Sequence, residues 1–180
     1  MLEQDILPLT RAGVESGNKI FGAAILSKAN LGLVIAGTNE ETRNPLFHGE
    51  VSCLNRFWAL PETERPAPSD CLFLSTHEPC PMCLAAITWS GFDNFYYFFS
   101  YEDSRDAFAI PHDLRIMAEV FGCSDGGYAE RNTYWSSHSI QGMVDDEDAW
   151  RDRMDALKRE YASLSDAYQR RKSEQRIPLK

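Results

Sequence analysis

His48-Gly49-Glu50 and, further along, Pro79-Cys80-Pro81-Met82-Cys83 are the two stretches of this chain whose residue types and spacing suit chemistry. One imidazole and two thiolates provide donors for a tetrahedral zinc ion and leave its fourth position open for water. An open position distinguishes a catalytic zinc site from a closed structural one. Glu50, two residues beyond the histidine, is placed to move protons for that water without binding the metal. Zinc held in this way lowers the pKa of water toward neutrality. The pair of motifs therefore points to hydrolysis.

Such a site needs two helix starts lying side by side. Cys80 and Cys83 are one helical turn apart, so both side chains fall on one face. Pro79 and Pro81 suit the first turn, where backbone N–H groups have no intrahelical partner. The positive end of a helix favours thiolate, the form that binds metal. His48 and Glu50 open a second helical pattern, 48–60, in which Val51, Leu54, Phe57 and Trp58 are expected to face inward.

Cys-x-x-Cys alone also fits a redox pair or half of a structural zinc knuckle. A redox site needs neither His48 nor Glu50. A closed zinc site needs a fourth ligand, and Cys53, Cys71, Cys123, His77, His112 and His138 show no paired spacing with either motif. His77 either lines the pocket or packs at a strand end.

The remaining elements follow from pattern. Residues 3–16 read as an amphipathic helix that Pro8 either weakens or starts. Two apolar runs, Phe21–Leu26 and Leu31–Ala36, flank Ser27-Lys28-Ala29-Asn30 as a hairpin. Asn39 follows the second run. Cys71–Ser75 is a short strand, Met82–Trp89 a buried helix closed by Gly91, and Asp93–Phe99 an aromatic strand buried on both faces. Asp113–Phe121 is a helix, 124–139 an irregular segment, and Glu147 to about Gln175 a long charged helix. Strands alternating with helices predict a three-layer α/β/α sandwich.

The 180 residues, 43% hydrophobic and 25% charged, suit one domain with a real core. No apolar run reaches the roughly 20 residues that span a bilayer, and the N-terminus lacks the basic-then-apolar pattern of a secretory signal. Five cysteines, an odd number, fit a reducing, cytoplasmic setting. The net charge of -9 argues against long nucleic acid as a partner, because phosphate binding calls for a basic patch. The basic residues near the C-terminus alternate with acidic ones at helical spacing, as on a solvated helix face.

His-Gly-Glu followed by Pro-Cys-x-x-Cys resembles the zinc-dependent cytidine deaminase superfamily. The likeness runs over about 18–122: Phe21-Gly22-Ala23-Ala24 is similar to the family's first strand, and Asn39 to its substrate-orienting asparagine. Glu78–Trp89 is most similar to bacterial guanine deaminases. Gly49 is more like fungal-type cytosine deaminases, since guanine and tRNA adenosine deaminases usually carry alanine there. His77 and everything after Gly122 fit none of these branches well.

The resemblance implies a mixed, roughly five-stranded sheet and a single deaminase domain over 1–180, with an N-terminal helix (1–17), a zinc-binding core (18–122) and a divergent C-terminal extension (123–180). It also implies a homodimer. By carry-over, His48, Cys80 and Cys83 bind zinc and Glu50 shuttles protons. Asn39 hydrogen-bonds the substrate, with Phe21, His77, Trp89, Asp103 and Asp113 as further substrate contacts. The implied activity is release of ammonia from a small amino-substituted heterocycle of guanine or cytosine type. The alternatives are an adenosine or cytidine deaminase acting on tRNA or other RNA, and a non-catalytic zinc-binding subunit.

Overall fold

The structure is a computed structural model that describes residues 1–144 and 148–180. Its strands are β1 (Gly22–Ser27), β2 (Leu33–Thr38), β3 (Cys71–His77), β4 (Asn94–Phe99) and β5 (Ser136–Ser139). They form one sheet in the order β2-β1-β3-β4-β5. β1 runs antiparallel to β2 and β3, while β3, β4 and β5 are mutually parallel. The sheet is mixed and five-stranded, as the resemblance implies.

The α-helices are α1 (Leu7–Glu15), α2 (Gly49–Trp58), α3 (Pro81–Trp89), α4 (Tyr101–Asp106), α5 (His112–Phe121), α6 (Ile140–Val144) and α7 (Asp148–Arg171), with a π-helical turn at Leu2–Ile6 ahead of α1. On one face of the sheet, Ile25, Phe73 and Phe95 pack against Cys53, Leu54 and Phe57 of α2 and Ile87 of α3. Each fully buried aromatic here contributes about 1.5–3 kcal/mol, which holds α2 and α3 against the same strands. On the other face Ala24, Leu26 and Leu74 meet Ile6. Beside them α1 and α7 close over the end of β4 through Val14, Phe98, Leu157 and Tyr161. Strands covered on both sides explain the uninterrupted apolar runs of β1, β3 and β4.

Several sequence expectations change. Trp58 does not face inward: it is 45% exposed, edge-on to Phe57 and covered by the Arg65 guanidinium at 4.6 Å. Trp89 is 91% exposed. It lies two positions past buried Ile87, and two residues turn a helix by about 200°, onto the opposite face.

The 124–139 stretch is not irregular throughout, because 136–139 form the fifth strand. Ser-Ser-His-Ser carries no apolar alternation, and its place comes from the backbone ladder with β4 and from His138 stacking on Tyr96. The pattern reading also passed over α4, although Ser100 and Asp103 make a capping box at its start.

The C-terminal helix is seen from Asp148 and ends at Arg171. Glu147, where the charge pattern starts it, lies outside the described residues. Its charged face is solvated and its apolar side buries Tyr161 and Tyr168 in the same domain. Among the described residues no helix is long and apolar enough to cross a membrane.

Candidate metal centre and active-site cavity

α2 and α3 begin next to each other, and both put a metal-binding residue at the cap position. His48 stands at the N-cap position of α2 and Cys80 at that of α3, each in an extended conformation and neither with its side chain in a capping hydrogen bond. Glu50 and Cys83 follow within the first turns. The donor atoms of His48, Cys80 and Cys83 all lie within 4.8 Å of one another. His48 Nδ1 is 3.5 Å from Cys80 Sγ, and Cys83 Sγ donates to Glu50 Oε2 at 3.4 Å. The other Glu50 oxygen accepts from Ser75 Oγ on β3 at 2.9 Å.

The electrostatics suit a metal. The neighbouring Cys83 and His48 together hold Cys80 well below the usual thiol range, against its burial. Burial pushes Cys83 up, reinforced by Cys80 and Glu50. Burial disfavours a charged His48, yet the Cys80 thiolate with Glu41 and Glu50 raises it to about 9. Burial likewise raises Glu50. One imidazole and two thiol groups, at least one poised as thiolate, match the soft N/S donor set that zinc takes. The residues present fit the ion.

This group opens onto a cavity of about 480 Å³, a size typical of small-molecule sites. Phe21, Met82, Ile110, Ile116 and the C-terminal residues Ile177 and Leu179 supply its apolar walls. Lys19, Glu41, His112 and Asp113 supply its polar groups. Burial pushes the half-buried Asp113 carboxyl up to about 8, reinforced by Cys80.

The structure thus brings Phe21 and Asp113 to the cavity with His48 and Cys80, while Glu50 and Cys83 are buried in contact with each other next to those two ligand candidates. Four other expected contacts lie elsewhere. Asn39 is buried, with its amide already committed: Nδ2 donates to Glu41 Oε2 at 2.7 Å and Oδ1 accepts from the Gly49 N–H. His77 packs among Phe21, Phe99, Phe108 and Tyr161 with Nδ1 on Thr76 Oγ1 at 2.8 Å. Burial keeps it neutral. Of its two readings, packing at a strand end is the one found. Trp89 faces solvent. Asp103 is spent on the cap of α4, accepting from the Ser100 N–H at 3.0 Å and from Gln141 at 3.1 Å.

Sequence reasoning missed the supports behind the metal loop. Tyr101 Oη donates to the Pro79 carbonyl at 2.5 Å, and Tyr128 Oη to Glu78 at 2.7 Å. Trp135 Nε1 donates to Thr88 Oγ1 on α3 at 2.8 Å. These residues come from 101–135, a stretch with no local motif pointing back to 78–89. Lys19 and Glu41 were missed too, because each is an ordinary charged residue until the fold buries it.

Gly49, the departure from the usual alanine, has a packing reason. A Cβ there would sit 2.7 Å from the Gly22 Cα and 2.8 Å from the Gly22 nitrogen. Backbone cannot yield as a side-chain tip does, so α2 would have to move off β1. Gly49→Ala is expected to cost about 1–3 kcal/mol, as overpacking does, and to weaken zinc binding by shifting both His48 and Glu50. Urea denaturation of the metal-free protein and a zinc titration check this; unchanged stability would show that the strand gives way freely.

The family model described as the cytidine and deoxycytidylate deaminase zinc-binding region matches residues 3–99, more than half of the 180-residue chain. The chain belongs to this family. Among its relatives are a tRNA-specific adenosine deaminase of Rickettsia felis, 32% identical over 98 residues, covering 53% of this chain and 65% of that protein. A guanine deaminase of Bacillus subtilis is 33% identical over 90 residues, covering 48% of this chain and 54% of that protein. The chain thus aligns with less than two thirds of either relative's length.

Among solved structures, guanine deaminase from Bacillus subtilis superposes with a TM-score of 0.53 at 26% identity, covering 84% of this chain and 91% of that one. Guanine deaminase from Nitrosomonas europaea, at 23% identity and a TM-score of 0.52, covers 87% and 80% and shares the fold. In this deaminase-family chain the candidate metal-binding group, His48, Cys80 and Cys83, lies within the matched segment. Ile110, Asp113, Ile177 and Leu179, also part of the cavity lining, lie beyond it.

Proposed function

We propose that the chain is a zinc-dependent hydrolytic deaminase of a small amino-substituted heterocycle, of guanine or cytosine type. The observation that carries this reading is the convergence of Glu50 with His48, Cys80 and Cys83 where His48 and Cys80 line a largely apolar cavity. His48, Cys80 and Cys83 hold the ion, which supplies a Lewis acid that lowers the pKa of water toward neutrality.

The chain's own groups do the rest. Glu50, fixed by Ser75 on one oxygen, is held where it carries one proton of the attacking water to the ring nitrogen and the second, from the hydroxyl that the attack leaves on the ring carbon, to the departing amine. Water replaces the exocyclic amine, and the products are ammonia and the corresponding oxo-heterocycle. Phe21 and the aliphatic walls suit a flat ring and exclude bulk water. Asp113 offers a polar contact to the ring from the cavity wall.

A guanine deaminase among the relatives supports a free base, and the net charge of -9 disfavours a polyanionic one. Since part of the cavity wall, Ile110, Asp113, Ile177 and Leu179, lies beyond the matched segment, the base itself has to be found by assay. Zinc-loaded protein is expected to release ammonia from at least one member of a panel of free purines, pyrimidines, pterins and triazines. Silence on that panel, with deamination of a tRNA anticodon stem-loop instead, would overturn the small-ring reading in favour of RNA.

A further inference from the structure

We infer that Glu41 is the positioning residue for His48, held between Lys19 and the imidazole so that Nε2 faces carboxylate and Nδ1 faces the thiol pair. Glu41 follows β2 by three residues and is 3% exposed. Its Oε1 lies 2.8 Å from Lys19 Nζ and 3.6 Å from His48 Nε2. Its Oε2 accepts from Asn39 Nδ2 at 2.7 Å, and Asn39 in turn accepts from the Gly49 N–H. The opposite ring nitrogen, Nδ1, is 3.5 Å from Cys80 Sγ.

The two nitrogens of one imidazole therefore see different partners. A carboxylate beside Nε2 favours the tautomer with the proton there, which leaves the Nδ1 lone pair free for the metal. Outer carboxylates on metal-binding histidines act in this way, fixing the ring and raising its basicity. At 3.6 Å the contact is electrostatic rather than a hydrogen bond, and in a buried setting it is only weakly screened.

Lys19 explains how a carboxylate is tolerated there. It is itself 4% exposed, and burying an unpaired charge is strongly unfavourable. A buried ion pair is weak ground for stability in its own right. What sets this one apart is the third contact, to the ring of a metal-binding residue. Through Asn39 the same carboxylate also holds the first N–H of α2, the helix that carries Glu50. One side chain thus sets the imidazole and the helix start together.

The test separates positioning from plain structural support. Glu41→Gln alone strands the Lys19 charge, so it is paired with the double variant Lys19→Met/Glu41→Gln, which removes both charges. The double variant is expected to melt within a few degrees of wild type without metal, yet to bind zinc about 10–100-fold more weakly in chelator competition. Wild-type zinc affinity in a folded double variant would overturn the inference.

A second measurement needs no variant. Long-range ¹H–¹⁵N correlation on the zinc-loaded wild-type protein is expected to show His48 protonated at Nε2. A proton at Nδ1 would overturn the inference whatever the variants do. Because the inference rests on the metal-binding reading of His48, Cys80 and Cys83, wild-type protein that takes up no zinc would overturn both. Zinc uptake with the wrong tautomer or an unmoved affinity would overturn this one alone.

Discussion

Glu50→Gln is expected to keep zinc within a few-fold of wild type while ammonia release falls by about 10²–10⁴-fold, the usual contribution of a positioned acid–base group. Glutamine has the same shape, and its carbonyl still accepts from Ser75 Oγ, which lies 2.9 Å from Glu50 Oε1. The fold around it is therefore preserved. What is lost is the capacity to carry a proton. Glu50 is 4% exposed, so bulk water cannot readily take over that task. Metal content and single-turnover ammonia release, measured on the same preparation, separate binding from chemistry. Full activity in this variant would sink the proposed role of Glu50.

Cys83→Ala is expected to abolish activity and to weaken zinc binding by more than the 10–100-fold that loss of an outer partner costs. Cys83 is fully buried in the first turn of α3, with its thiol among Cys80 and Glu50. No free cysteine stands ready to replace it: among the described residues, the metal-capable group comprises His48, Cys80 and Cys83.

Stability supplies a second readout. Zinc at 100 times its Kd stabilises the folded state by about 2.7 kcal/mol. For a chain of this size that amounts to roughly 5–10 °C in melting temperature. Wild-type protein is expected to show this upshift with zinc and to lose it with a chelator; Cys83→Ala is expected to show neither. A variant that still melts higher with zinc would place the ion elsewhere.

How much was legible in advance follows from how locally each feature is encoded. The cap positions of His48 and Cys80 could be read because helix starts are set by a few neighbouring residues, and the Pro-Cys-Pro and His-Gly-Glu runs carry those signals. The inner strands could be read because burial on both faces writes continuous apolar runs. β5 could not, since an edge strand of Ser-Ser-His-Ser draws its pairing from β4, about forty residues away in sequence. Trp58 and Trp89 misled because hydrophobicity does not reveal which side of a helix meets the sheet. The Ser100–Asp103 capping box is a local signal for a helix start, and it accounts for Asp103 without a substrate.

The sequence by itself determined the family and singled out the candidate metal donors and the candidate acid–base carboxylate, because ligand spacing within one helical turn is local and the chemistry admits few residue types. Only the tertiary structure decided which other groups join them. It turned Asn39, Glu41 and Lys19 into a buried network behind His48, withdrew His77, Trp89 and Asp103 from the cavity, and brought Asp113 and the C-terminal residues into its wall. Those choices depend on packing between segments far apart in the chain, where burial gives an ordinary charge its role and no short-range pattern records it.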